Sequence, residues 1–184
     1  MNTKSLSELP DDLPVPTDDG ACDQLTGISF PEISLPSTNG SIISLPENFV
    51  LYIYPMTGRP DTALPEGWDA IPGARGCTPQ SCSFRDHYAE LNELNTQVFG
   101  LSTQTTEYQL EAKQRLHLPF DLLSDSEFTL KQLLSLPTFK ADGNELYKRV
   151  TLIIQNNIIH KVFYPVFPPN LNAEEVVKWL QANA

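Results

Sequence analysis

The apolar positions of this chain fall into runs whose spacing separates strands from helices. From Ile28 the pattern alternates through Phe30, Ile33 and Leu35, breaks at Asn39-Gly40, and resumes at Ile42, Ile43 and Leu45; Asn-Gly between apolar runs predicts a β-hairpin. Phe49-Val50-Leu51-Tyr52-Ile53-Tyr54 is nearly continuous and closed by Pro55, as expected of a strand buried on both faces. Phe84, Tyr88, Leu91 and Leu94 recur at helical spacing, which predicts one helix opened by Cys77, and Gln97–Leu101 reads as the next strand. Thr106 with Gln109, Ser124 with Glu127 and Asn172 with Glu175 read as capping boxes of three more helices. Between the first two, Phe120–Leu123 is short and strand-like. Arg149–Ile154 and Ile158–Phe163, joined at Asn156-Asn157, predict a second hairpin.

Strands and helices that alternate in the middle, with a hairpin and a helix at the end, predict an α/β domain over 28–184. Its central mixed sheet carries helices on both faces and is preceded by the N-terminal hairpin. Two stretches show no period. Residues 1–27 form an acidic, proline-rich arm with Asp11, Asp12, Asp18, Asp19 and Asp23 among Pro10, Pro14 and Pro16; residues 56–75 form a long loop anchored only by Trp68 and Ile71. A chain of 184 residues with 40% hydrophobic content suits one domain.

Charge narrows the partners. Twenty-three acidic against twelve basic residues give a formal charge of −11, which makes nucleic acid and anionic membrane surfaces poor partners. The opening Met1-Asn2-Thr3-Lys4-Ser5 is polar and no run reaches membrane-spanning length, so the cytoplasm is the expected compartment. Structural disulfides are rare there, and a close cysteine pair is therefore expected to be catalytic, redox-sensing or metal-binding.

That pair stands in Gly76-Cys77-Thr78-Pro79-Gln80-Ser81-Cys82. Pro79, with no N–H and a fixed φ, fits the first turn of a helix, and Thr78 can cap its free N–H groups. A thiolate at such a helix mouth is favoured by the aligned peptide dipoles. Cys77 is accordingly the candidate nucleophile and Cys82 the candidate second sulfur. On an intact helix their Cα atoms would be about 8.5 Å apart, beyond the roughly 7 Å that a disulfide tolerates, so bonding would require the helix to open. Cys22, in the arm, reads as a bystander or as a partner in mixed disulfides. A metal set of Cys77, Cys82 and His87, completed by Cys22, His117 or His160, lacks paired spacing such as C-x2-C, so no metal or other cofactor is expected.

These pieces resemble a peroxiredoxin within the thioredoxin-like fold, most closely the peroxiredoxin Q or bacterioferritin comigratory protein group. The match rests on Leu51–Pro55, on Gly76–Cys82 followed by Phe84-Arg85-Asp86, and on Phe99–Ser102, Leu122–Asp125 and Arg149–Ile153. The resemblance implies that Cys77 attacks the O–O bond of hydrogen peroxide or an organic hydroperoxide, that Cys82 resolves the sulfenic acid as a disulfide, and that Arg149 and backbone N–H groups assist. Pro55, Gly76 and Thr78 would then border the peroxide, a thioredoxin- or glutaredoxin-like protein would be the reductant, and the chain would be a monomer or homodimer. One departure stands out. The family pattern is Pro-x3-Thr/Ser-x2-Cys, whereas here a long loop separates Pro55 from Cys77 and Ala74 occupies the hydroxyl position. Thr57, two residues after Pro55, is the candidate replacement. A thiol-disulfide oxidoreductase or redox sensor on the same fold is the alternative reading.

Overall fold

The strand β3 (Phe49–Ile53) divides the interior into two cores. In the computed structural model, which describes residues 5–184, Phe49, Leu51 and Ile53 face one cluster and Val50, Tyr52 and the following Tyr54 face the other. This is the two-residue period of a strand with no solvent face. On the first face lie Leu130 and Leu134 of α4 (Thr129–Leu134), together with Cys22 and Leu25 from the N-terminal segment. On the second lie Phe84 of α1 (Cys77–Asp86), Leu91 of α2 (Tyr88–Glu93), and Val176, Val177 and Leu180 of α5 (Asn172–Ala182).

The central sheet has the order β5 (Leu122–Ser124), β4 (Gln97–Ser102), β3, β8 (Val150–Gln155), β9 (Ile158–Phe163). β3 runs parallel to β4, which runs parallel to β5. β8 is antiparallel to both β3 and β9. The mixed sheet with helices on both faces agrees with the sequence pattern. So does the N-terminal hairpin of β1 (Ser34–Pro36) and β2 (Ile42–Ser44). Asn156 and Asn157 sit at φ 50° and 62° between β8 and β9, the paired positive φ of a tight two-residue hairpin turn. Opposite Tyr52, Gly100 leaves space that no other residue could leave: a Cβ there would lie 2.6 Å from both the Tyr52 ring and Leu122. The Tyr52 ring uses that space to stack on Phe84, with centroids 4.5 Å apart and planes 9° from parallel.

Four local readings change. The helix opened by Cys77 breaks at His87 rather than running to Leu94, because His87 leaves helical geometry while α2 resumes the same apolar face. The N-cap of α3 (Thr106–Arg115) is Thr105, whose hydroxyl accepts from Tyr108 N–H, and Gln109 is buried on Ser102 and Leu123 instead of closing a capping box. α4 starts after Phe128, and the Asp125 carboxylate, not Ser124, takes the N–H groups of Thr129 and Leu130. A further hairpin, β6 (Thr138–Ala141) with β7 (Asn144–Tyr147), turns at Asp142-Gly143 and has no counterpart in the sequence reading. The strand read at Phe120–Leu123 is β5, displaced to Leu122–Ser124. The polar opening from Met1 to Lys4 lies outside the described residues.

Candidate active site

The N-terminus of α1 sits beyond the end of β3, and its first residue is Cys77. Gly76, not Thr78, is the N-cap; its φ of 117° suits only glycine, and a Cβ there would lie 2.3 Å from Pro169. Thr78 is already inside the helix and buried, and no side chain caps this end. With Pro79 lacking an N–H, the unpaired donors of the first turn are the backbone N–H groups of Cys77 and Thr78. A helix that begins without an acidic side chain or a capping hydroxyl leaves its mouth free for another anion.

Arg149, at the foot of β8, reaches that mouth. It is 4% exposed, and its Nη2 donates to Cys77 Sγ at 3.3 Å and to the carbonyls of Ala74 at 3.1 Å, Gly73 at 3.3 Å and Arg75 at 3.4 Å. Its Nη1 donates to Gln80 Oε1. Because that oxygen is taken by a cation, Gln80 must turn its Nε2 outward, where it donates to Asn172 Oδ1 at 3.0 Å; the same oxygen accepts from Thr151 Oγ1 at 2.7 Å. Gln80 and Asn172 are fully buried. The sulfur is therefore held by a directional chain that crosses β8, α1 and the first residue of α5. The family resemblance reached Arg149 but nothing in the sequence marks Gln80, which reads as an ordinary helix residue. Asn172 was read as a cap, whereas its side chain belongs to this chain.

On the opposite side the surroundings are apolar. Leu6, Met56, Leu64 and Trp68 line a cavity beside Cys77, with Gly58, Arg75, Gly76 and Thr78 completing it. Its volume of about 10 Å³ is room for about one water, and Cys77 is 4% exposed. Trp68 opens a single 3-10 turn in the long loop and is buried against Phe139. Ala74 is fully buried and contributes its carbonyl, which lies 3.8 Å from Cys77 Sγ.

No hydrogen bond joins the Thr57 hydroxyl to the Cys77 sulfur. Thr57 is buried, but its Oγ1 and N–H both donate to Gln104 Oε1, at 3.4 and 3.1 Å, and Gln104 Nε2 returns a bond to Thr57 C=O at 3.3 Å. Pro55 is buried at the end of β3 and is not among the side chains lining the Cys77 cavity. Cys82, on the same helix, is partly exposed, and burial pushes its thiol above the ordinary value against the opposing charge of Arg85. Cys22 lies in the first core, and burial, reinforced by Asp19, pushes its thiol up to about 12. All three cysteines are free. His87 pairs with Glu90 at 2.8 Å. No group of three His, Cys, Asp or Glu side chains among the described residues is arranged to hold a metal, and no described helix is long and apolar enough to cross a membrane.

Residues 70–162, about half of the chain, match the AhpC/TSA family. A protein of Coxiella burnetii named as a peroxiredoxin bcp is 27% identical over 158 residues, which cover 82% of this chain and 95% of that protein. The chloroplastic peroxiredoxin Q of Suaeda salsa is 27% identical over 159 residues, 83% of this chain and 65% of its own length. Among solved structures, peroxidoxin BcpB from Mycobacterium tuberculosis superposes with a TM-score of 0.71 at 23% identity, covering 87% of this chain and 98% of that one. The shared architecture is the thioredoxin-like fold.

Proposed function

Since the chain belongs to the AhpC/TSA family and is a thiol-dependent peroxidase of the peroxiredoxin kind, we propose that Cys77 is its peroxide-attacking nucleophile and Cys82 its resolving thiol. The observation that carries the assignment is the Arg149 guanidinium 3.3 Å from Cys77 Sγ at the mouth of α1. A cation and unpaired backbone donors around one buried sulfur stabilise the negative charge that develops on oxygen as the O–O bond breaks.

In the proposed cycle the thiolate forms an S–O bond with one peroxide oxygen while the other leaves as hydroxide or alkoxide and is protonated. Cys77 is then a sulfenic acid. The Cys82 sulfur attacks it, an S–S bond forms, and water departs. A thioredoxin- or glutaredoxin-like dithiol supplies the two electrons that return both cysteines to thiols. Resolution requires α1 to unwind, because both cysteines lie within the one helix and an intact helix holds them too far apart. Burial raises the Cys82 thiol above its ordinary value, and the motion that brings it within reach also relieves that burial. The cytoplasm is the compartment we assign, since the cycle depends on a supply of reduced thiols.

Purified protein is tested for peroxide-dependent oxidation of a thiol reductant. Cys77→Ser is expected to abolish consumption, and Cys82→Ser to accumulate sulfenic or sulfinic acid at Cys77, read by mass spectrometry. Full activity in Cys77→Ser would overturn the assignment, and a Cys22–Cys77 bond in oxidised wild type would transfer resolution to the N-terminal segment.

A further inference from the structure

The small cavity beside Cys77 has a larger neighbour. A groove of about 620 Å³ runs along the outside of the loop, lined by Arg59, Pro60, Ala63 and Arg115 among others. Leu6, Leu64, Arg75 and Thr78 line both spaces and so form the wall between them. Three of these four are fixed by the domain itself: Thr78 by α1, Arg75 by its 7% exposure and its bond to Asp69 at 3.0 Å, and Leu64 by the apolar cluster around Trp68. Leu6 belongs to the N-terminal segment. It is the part of the wall that can leave without unfolding the domain.

Leu6 is nevertheless seated deliberately. Arg75 Nη2 donates to the carbonyls of Ser5 at 3.1 Å and Glu8 at 3.5 Å, so a nearly buried cation holds the backbone on both sides of it. Leu6 Cδ2 packs over Gly58 beside Leu64, where a Cβ would lie 3.0 Å from Leu6 and 2.9 Å from Leu64, and the next apolar residue, Leu9, packs over Gly76, again at 3.0 Å from a Cβ there. Two glycines thus leave the space that two leucines of the segment fill.

We infer that Leu6 is a specificity-determining residue: seated between the Cys77 cavity and the outer groove, it admits hydrogen peroxide and excludes hydroperoxides that carry a bulky organic group. This rests on the thiol-peroxidase reading of Cys77. A cavity with room for about one water accepts the two oxygens of hydrogen peroxide with slight yielding of its walls. A phenyl-bearing peroxide has nowhere to put its ring unless Leu6 vacates the passage to the groove. Removing the leucine side chain joins the two spaces and leaves Arg149, Gln80 and the helix mouth untouched.

The test uses the full-length protein with hydrogen peroxide and cumene hydroperoxide, comparing kcat/KM for wild type, Leu6→Ala and Leu6→Phe. Wild type is expected to prefer hydrogen peroxide. Leu6→Ala should raise the cumene-to-hydrogen-peroxide ratio about tenfold or more, and Leu6→Phe should lower it, the scale on which a changed pocket contact discriminates substrates. A second readout does not depend on peroxidase chemistry: alkylation of Cys77, followed by peptide mapping, with iodoacetamide and with the bulkier N-phenylmaleimide. Leu6→Ala should accelerate the maleimide far more than iodoacetamide. Equal peroxide preference and equal alkylation ratios in wild type and Leu6→Ala would overturn the inference. If no peroxide is consumed by any variant, the peroxidase reading fails, and the alkylation ratio alone decides whether Leu6 guards the sulfur.

Discussion

Cys77 faces two walls of opposite character. One is polar and continuous: Arg149, Gln80, Asn172 and Thr151 bond in series, and each amide is oriented by the group before it. The other is carbon from Leu6, Met56, Leu64 and Trp68, packed without a direction. The first is assembled from β8, α1 and α5, the second from the long loop and the N-terminal segment. The difference teaches that charge stabilisation is entrusted to regular elements, where a donor can be held to a fraction of an ångström, and shape to segments that tolerate change. Substitutions on the polar wall are expected to propagate to the sulfur. Those on the other alter only the space beside it.

The largest effect is expected at the polar wall's inner end. Arg149→Met removes the donor to Sγ and strands Gln80 Oε1 together with three loop carbonyls. It should slow the reaction with hydrogen peroxide by on the order of 10²-fold, the cost of one oxyanion donor. Stopped-flow oxidation of the folded variant checks this, and an unchanged rate would mean that the guanidinium serves the loop and not the sulfur. The next effect lies two bonds further out. Asn172→Leu deprives both Gln80 Nε2 and Thr151 Oγ1 of their acceptor, leaving buried donors at a cost of about 1–3 kcal/mol. The freed Gln80 amide can then turn from Arg149, and a loss of roughly tenfold in rate is expected. Asn172→Asp, which keeps an oxygen in place, should recover most of it. Recovery of stability without recovery of rate would confine Asn172 to a structural role.

The smallest effect is expected at Thr57. Its hydroxyl is spent on Gln104, so Thr57→Val should leave the hydrogen peroxide rate within about twofold of wild type. A drop comparable to that of Asn172→Leu would show that the hydroxyl turns toward the peroxide during the reaction and that the two walls are less distinct than their resting contacts suggest.

The two walls also differ in how far they could be read from sequence. Cys77 announces itself because a proline in the first turn and a neighbouring cysteine restrict what that stretch can do, whereas Arg149 is reached only through the family resemblance, which places an arginine before an apolar strand. Gln80 and Asn172 carry no such mark. A buried amide and a solvated one have the same letters, and only the tertiary meeting of α1 with α5 makes them partners. Capping residues were misplaced by one position at Thr105 and Asp125, since several adjacent hydroxyls and carboxylates could serve and the final backbone geometry chooses. The hairpin at Asp142-Gly143 is absent from the sequence reading because its strands alternate too weakly to draw notice to the turn between them. The carbon wall was illegible for another reason. Leu6 is an isolated apolar residue in a polar segment, and its position is set by an arginine and a glycine distant in sequence.

Stacking of Tyr52 on Phe84 bears on the redox poise of the two cysteines. Phe84 is the buried anchor of α1, and Tyr52 also bonds Ser81 of that helix at 3.0 Å. In the proposed cycle these contacts hold until α1 opens for the disulfide to form, so whatever they contribute to the helix is lost to the disulfide form. By the two-electron relation, each 1.4 kcal/mol of such preference raises the reduction potential of the pair by about 30 mV. A disulfide opposed by an aromatic ring that touches neither sulfur is a better electron acceptor, and even a weak dithiol donor can return the enzyme to its ready state.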